Sequence, residues 1–270
     1  MIRFLVAFSA VLVMLSSVPA LAESAMGDGR YSFSDFDKYA DGAKEWDVTL
    51  GGGIWVRPRF EGAKRYRTRL MPMVDVRWRE RTFFNPWRGL GHDAIKTDNL
   101  TAGPFISYDF GRDQDADRHL RGLGDVDGGV DFGAFVTYTT RDFSVDFSAK
   151  QNVFGHKGFQ VKTALMYRTY TGQRTFINVG PTLTYASNNY MDSFFSVNQR
   201  QSDRSGLRRF NADSGFKNIG MTLSARHMLT DQWFLLGIAS HDWLLGDAHR
   251  SPVSQKRGVT SVSLGAGYRF

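Results

Sequence analysis

The chain has 270 residues, no cysteine, 23% charged residues, a formal charge of +7 and a mean hydropathy of −0.33. No disulfide framework can hold it. With no second run of about 20 apolar residues beyond the N-terminal one, it is not a helical inner-membrane protein. Its Lys and Arg residues form neither a tail nor a helical stripe, which argues against nucleic acid as a partner.

Residues 1–22, MIRFLVAFSAVLVMLSSVPALA, carry Arg3 ahead of an apolar run from Phe4 to Leu15, then Pro19, then small residues at Ala20 and Ala22. This pattern is a secretory signal peptide, too short to span a bilayer, and the mature chain is expected to start near Glu23. No cysteine follows the cleavage point, so no lipoprotein anchor is expected. Residues 23–45 are polar and irregular, either periplasmic or inserted into a lumen.

From 46 onward apolar residues recur with period two, and no 3.6-residue period stands out. Trp46, Val48, Leu50, Gly52, Ile54 and Val56 share a face. Leu70, Pro72, Val74, Val76 and Trp78 oppose Met71, Met73, Asp75, Arg77 and Arg79. The alternation returns at 100–110, 130–138, 143–150, 159–168, 177–185 and 219–226, and less cleanly at 233–245. The last segment, SVSLGAGYRF, sets Val262, Leu264, Ala266, Tyr268 and Phe270 against Ser261, Ser263, Gly265, Gly267 and Arg269. One apolar face, one small or polar face and a terminal aromatic suit the closing strand of a bacterial outer-membrane barrel. Aromatics at 14% and 28 glycines fit the same class, because a barrel's lumen-facing half keeps its mean hydropathy low.

The spacing predicts an all-β transmembrane antiparallel barrel over 46–270. Eleven crossings are legible, near 46–58, 68–80, 82–94, 97–110, 127–140, 142–152, 157–170, 174–186, 214–228, 231–245 and 258–270. Bacterial barrels need an even number. A twelfth strand at 190–198, YMDSFFSVN, gives twelve; dropping 82–94, which contains Asn85-Pro86, gives ten. The twelve-strand choice puts the connection 111–126 on the periplasmic side and places 199–213 and 246–257 outside; the ten-strand choice instead puts 111–126 outside.

The candidate lumen charges are Asp75, Arg77, Arg79, Asp146, Lys150, Lys162, Arg168 and Arg226. Such a set is either a charge-compensated plug or a selectivity filter for a small anion. Asp113, Asp115 and Asp117 start like a calcium loop, but Arg118 stands where glycine is required and Gly124 where a bidentate Glu should be. His92-Asp93 and His241-Asp242 cannot act as dyads on a strand, since neighbours point to opposite faces. Neither HExxH nor GxSxG is present. An outer-membrane hydrolase assembled from distant strands remains one alternative.

The chain resembles the MipA/OmpV family of outer-membrane proteins. The resemblance rests on GGGIWVRPRFEGAKRYRTRLMPMVDVRW at 51–78, RGLGDVDGGVDFGAFVTY at 121–138, NNYMDSFFSV at 188–197, SGL at 205–207 with SGFKNIG at 214–220, LLGDAHRSPV at 244–253 and GAGYRF at 265–270. Ser196, where the family often has Gly, and the irregular stretch 83–93 depart from it. The resemblance implies an outer-membrane barrel with no enzymatic activity, no catalytic residues, no cofactor and no metal. It further implies a scaffold between a lytic murein transglycosylase and a murein synthase, in contact with outer-membrane lipid and lipopolysaccharide. Other members look like adhesins or surface antigens, and a small-solute channel is a further alternative. For a scaffold, Arg121, Asp125 and Asp127 in the connection 111–126 are the candidate partner surface, since that connection is too long for a minimal turn.

Overall fold

The computed structural model describes residues 45–270; the signal-peptide reading and the segment before Glu45 lie outside the described residues. The barrel begins with β1 (Trp46–Pro58) and β2 (Tyr66–Trp78), followed by the short β3 (Thr82–Asn85), β4 (Gly89–His92) and β5 (Ile95–Lys96). It continues through β6 (Leu100–Asp109), β7 (Gly129–Thr139), β8 (Phe143–Asn152), β9 (Phe159–Thr171), β10 (Thr175–Ala186), β11 (Gly215–Met228), β12 (Trp233–Leu244) and β13 (Gly258–Arg269). Sequential neighbours pair antiparallel, β13 returns to β1, and β4 joins β6, so the sheet closes on itself. β4 and β5 both pair with β6 and are two pieces of one crossing, interrupted at Asp93-Ala94. The described residues thus form a closed twelve-stranded antiparallel barrel.

The strand number agrees with the sequence reading, but the twelfth strand is elsewhere. Residues 190–198 are not a strand: they belong mainly to helix α1 (Asn188–Phe195). Tyr190, Met191, Phe194 and Phe195 are its buried side chains, a spacing that only a helix puts on one face. The missing strand comes from 82–94, which doubles back at Pro86–Arg88 into the β3–β4 hairpin. Proline at the turn removes a donor no ladder needs, and the Asn85 Oδ1 accepts the Trp87 and Arg88 N–H groups to hold the reversal.

Alternation sorts the side chains. Leu50, Ile54, Leu70, Ile106, Phe132, Val136, Val145, Phe147, Leu165, Ile219, Leu223, Leu235, Val262 and Leu264 face outward, while Thr49, Asp75, Asp131, Asp146, Asn178, Thr182, Thr222, Ser224, Ser240, Ser261 and Ser263 are buried inside. An apolar exterior over a polar interior is the inverse of a soluble protein and suits a lipid surround. Aromatics gather at both rims. Trp46–Trp78, Phe143–Tyr167 and Trp233–Tyr268 lie at the end where the described residues begin and end (the termini end), and Tyr108–Phe110 and Tyr185–Phe216 at the other, with ring centroids 5.0–6.2 Å apart.

The β1–β13 seam is fixed by chemistry at its end. Arg269 donates from Nε and Nη2 to the two Asp47 carboxylate oxygens at 3.0 and 2.6 Å, a bidentate pair that sets the register Thr49↔Arg269. Along the seam the two backbones approach closely where there is no side chain, since a Cβ at Gly51 would lie 2.2 Å from the Ala266 carbonyl oxygen.

The two ends differ. At the termini end the connections are short: 79–81, 97–99, 140–142, 172–174 and 229–232. The β3–β4 turn 86–88 lies partway up the wall, and at the other end lie 59–65, 110–128, 153–158, 187–214 and 245–257. Short periplasmic turns and long outer loops orient such barrels, so the termini end is the periplasmic one. This corrects the expected placement of 111–126. The extra crossing is spent before that segment, in the β3–β4 hairpin, so 111–126 lies on the outer side with 199–213 and 246–257.

Candidate functional site: a lidded, laterally open lumen

The periplasmic half of the lumen is filled. Phe83 meets Phe135 edge-on with centroids 5.8 Å apart, and the Arg88 guanidinium stacks over both rings at 4.0 and 4.5 Å. Trp55, Met71, Met73, Phe234 and Leu236 form a buried cluster joined by Trp87, whose ring meets Trp55 at 5.3 Å. Polar pairs tie the same layers together. Arg77 bonds Asp93 at 3.3 Å, Asn85 bonds Asp75 at 3.4 Å, and Thr137 bonds Asp146 at 2.8 Å. Arg226 lies over Phe234 and Arg168 over Phe176, at 5.4 and 5.3 Å.

Asp75, Arg77, Asp146, Lys150, Lys162, Arg168 and Arg226 therefore all sit on inward-facing positions. Arg79 does not. Arg79 and Glu80 have φ of 48° and 56°, which end the strand at the rim tryptophans, and the exposed Arg79 side chain pairs with Glu45 at 3.2 Å. The strand alternation simply stops at Trp78.

The outer end is covered by a lid. Helices α1, α2 (Gln199–Ser205) and α3 (Gly246–Arg250) and two 3₁₀ turns pack around two apolar centres. One gathers Val126, Tyr190, Met191, Phe194, Phe195, Ala212, Leu244 and Ala248; the other Phe60, Ala63, Leu120, Leu123, Val197 and Val253. An Asn198–Gln201 capping box starts α2, and Gly206 at φ 74° ends it. The Arg112 Nη1 donates to the Phe194 carbonyl, and burial pushes its guanidinium down to about 10, still protonated at neutral pH.

The carboxylates of the loop 110–128 serve its own backbone. Asp113 accepts from Asp115 N, Asp117 from His119 N, and Asp125 from Gln114 N, at 2.6, 3.0 and 2.8 Å. Arg121 reaches Asp115 at 3.6 Å on the surface, and Asp125 and Asp127 are exposed there too. His92 turns to Thr82 while Asp93 turns inward to Arg77, and His241 turns to Thr260 while Asp242 accepts from Asn218. Neither adjacent His-Asp pair is a dyad.

Among the described residues one cluster has metal-ligand composition: Asp109, Asp131 and His156, with ligand atoms all within 4.8 Å. Its donors are engaged. The His156 Nδ1 accepts from Gly158 N, which leaves the proton on Nε2, and that nitrogen points to Asp109 at 3.2 Å. Asp131 binds the Lys150 ammonium at 3.1 Å and the Asn152 amide at 2.8 Å. Lys150 supplies the positive charge here, and the cluster reads as a structural network beneath the lid.

Between lid and filled half lies a cavity of about 1570 Å³. Arg59, Arg67, Arg69, Arg112, Lys150, Lys162 and Lys217 line it, against Glu61, Asp109, Asp113, Asp115 and Asp242. Lys217 is bound by Glu61 and donates to the Tyr190 hydroxyl at 3.3 Å. The sequence reading missed Arg57, Arg67 and Arg69. The signal was there: arginines at 65, 67 and 69 alternate, and the register brings Arg57 opposite Arg67 and Trp55 opposite Arg69.

The sequence profile described as "MltA-interacting protein MipA" matches residues 50–270. The "MltA-interacting protein" of Escherichia coli (strain K12) is 25% identical over 234 residues, covering 84% of this chain and 91% of that protein. The protein of the same name from Shigella flexneri matches to the same extent. Among solved structures, a "Bacterial polysaccharide outer membrane secretin" aligns over 85% of this chain and 99% of its own, with 12% identity and a TM-score of 0.42. The "KdgM porin" aligns over 83% and 99%, with 9% identity and a TM-score of 0.39.

Proposed function

The chain belongs to the MltA-interacting protein MipA family, and from that membership we propose that it is a non-enzymatic outer-membrane protein that scaffolds peptidoglycan remodelling. Its partners in this reading are a lytic murein transglycosylase and, through the same complex, a murein synthase. The observation that carries the reading is the family match across the whole barrel. The filled periplasmic half of the lumen supports it, because a scaffold needs a rigid wall and no pore. The mature chain would begin near Glu23, with 23–45 as a polar segment ahead of the barrel.

Topology moves the proposed contact surface. With the short-turn end taken as periplasmic, Arg121, Asp125 and Asp127 fall at the opposite end of the barrel, so this reading does not use them. In this reading the contact surface is the ring of short turns, with Arg79, Glu80, Arg81, Arg141, Asp142, Arg174 and Asp231. Charge-mixed turns on a barrel rim suit a weak, exchangeable contact. Crosslinking in intact envelopes with photoreactive residues at 80, 141 and 231 should capture a murein transglycosylase, while one at 125 should not. Capture from 125 alone would reject this placement. A small-solute channel is the second reading, favoured only by the cationic cavity; planar-bilayer recording should show no steady conductance if the scaffold reading holds.

A further inference from the structure

The barrel wall has a gap. β2 pairs with β1 along its full length, Trp46↔Trp78 to Pro58↔Tyr66. On its other side only Val76, Arg77 and Trp78 have partners, in β3. Residues 66–75 therefore form a bare strand edge, about 30 Å long at roughly 3.3 Å per residue. Across the gap, β6 pairs with β4 only at Leu90↔Ile106 and Gly91↔Phe105, leaving Ser107–Asp109 open on that side. The hairpin that should fill the space is too short, and its tip bends into the lumen, where Trp87 packs on Trp55. The cavity's lining accordingly includes residues from the outer face, Thr68, Leu70, Pro72, Leu90, Ile106 and Tyr108. Leu70, paired with Ile54 on one side and with no strand on the other, is 86% exposed. The lumen thus opens sideways, in the outer half of the wall.

A bare edge facing hydrocarbon is costly, because no water is there to satisfy its backbone N–H and C=O groups. Three polar atoms beside the gap can donate. The Arg67 Nε on β2, the Trp87 Nε1 at the floor and the Ser107 hydroxyl on β6 are buried without hydrogen-bond partners among the described residues. Arg67 and Arg69 stand on the inner side of the bare edge and form no ion pair there among the described residues. Arg59 adds further positive charge, partly offset by Asp117 at 3.9 Å. Just outside, the rim is apolar. A cationic, donor-rich interior behind an apolar slit matches a molecule with an anionic head and a hydrocarbon tail.

We propose that this gap is a lateral binding site for an anionic amphiphile, an acyl lipid whose phosphate or carboxylate head sits at Arg67 and Arg69 while its chain lies over Leu70, Leu90 and Ile106. The head supplies acceptors for the orphan donors, and the chain covers the exposed slit. This assignment is independent of the scaffold reading.

Native mass spectrometry of the full mature chain in nonionic detergent tests it, with lysophosphatidylglycerol, palmitate, lysophosphatidylcholine and inorganic phosphate as probes. Lysophosphatidylglycerol or palmitate should bind at least tenfold more tightly than lysophosphatidylcholine, and the R67A/R69A variant should lose at least tenfold. In the unaltered protein, a photoactivatable palmitate should label β2 near Leu70 or β4 near Leu90, which keeps the test independent of the variant's folding. Equal binding of the two lysolipids, an unchanged R67A/R69A variant, or labelling spread evenly over the barrel exterior would overturn the assignment. Inorganic phosphate displacing the lipid fully at equal concentration would reduce the site to a free-anion site. A stable dimer crosslinked through L70C would show that a second copy covers the edge instead.

Discussion

Phe234 is the most informative residue to remove. Its side chain is 1% exposed and sits among Trp55, Met71, Met73 and Leu236, beneath the Arg226 guanidinium. On the facing strand a Cβ at Gly267 would lie 2.4 Å from its ring, so the ring occupies space that a missing side chain leaves open. Phe→Ala in a packed core costs roughly 3–5 kcal/mol, and the loss of a cation–π contact adds about 0.5–2 kcal/mol. The wall strands are held by ladders on both sides and cannot collapse into the hole. Water from the neighbouring cavity can enter it, which favours the low end of that range. Phe234→Ala is therefore expected to lower stability by about 3 kcal/mol, and Phe234→Leu by about 1 kcal/mol. Guanidinium titration in lipid vesicles, followed by tryptophan fluorescence, measures both. A loss below about 1 kcal/mol for Phe234→Ala would refute the claim that the periplasmic half of the lumen is a packed core.

Arg269→Ala leaves Asp47 without its bidentate partner at the seam, and a cost of about 3 kcal/mol is expected in the same titration. In a double-mutant cycle Asp47→Ala should then cost little further; fully additive losses would contradict the pairing. Cysteine placed at Asp125 should react with a membrane-impermeant maleimide on intact cells, whereas cysteine at Arg141 should react only after permeabilisation. The Asp247 carboxyl is held below its usual range, first by the Asp213 N–H and then by Arg250. A lowered folded-state pKa means its contribution is complete above about pH 4 and fades as pH falls through the folded value. Proteolytic nicking of the connection 187–214 should therefore rise on acidification, and Asp247→Asn should show the higher nicking already at about pH 6.

Much of this architecture is legible in the sequence because a barrel wall has the simplest of periods. Ile219, Met221 and Leu223 must alternate with Gly220, Thr222 and Ser224 if one face meets lipid. The 82–94 hairpin is illegible because its arms, Thr82–Asn85 and Gly89–His92, are each too short to show a period. Helix α1 reads as a strand because eight residues rich in aromatics satisfy both periods loosely. That exchange keeps the strand number right and moves 111–126 to the other side. The arginine cluster is partly legible in Arg65, Arg67 and Arg69. Its meaning is not, since the bare edge beside it arises from what the hairpin fails to reach, a property of pairing rather than of any segment.

Side chains of one parity dissolve in lipid while those of the other line the lumen, and the absence of native cysteine makes this directly measurable. Spin labels placed singly from 219 to 224 on β11, in protein reconstituted into vesicles, report collision with oxygen from the lipid and with a water-soluble nickel complex. Labels at 219, 221 and 223 should favour oxygen, with those at 222 and 224 shielded from it. Collision rates without a two-residue period, or with the opposite phase, would contradict the barrel and all that is built on it.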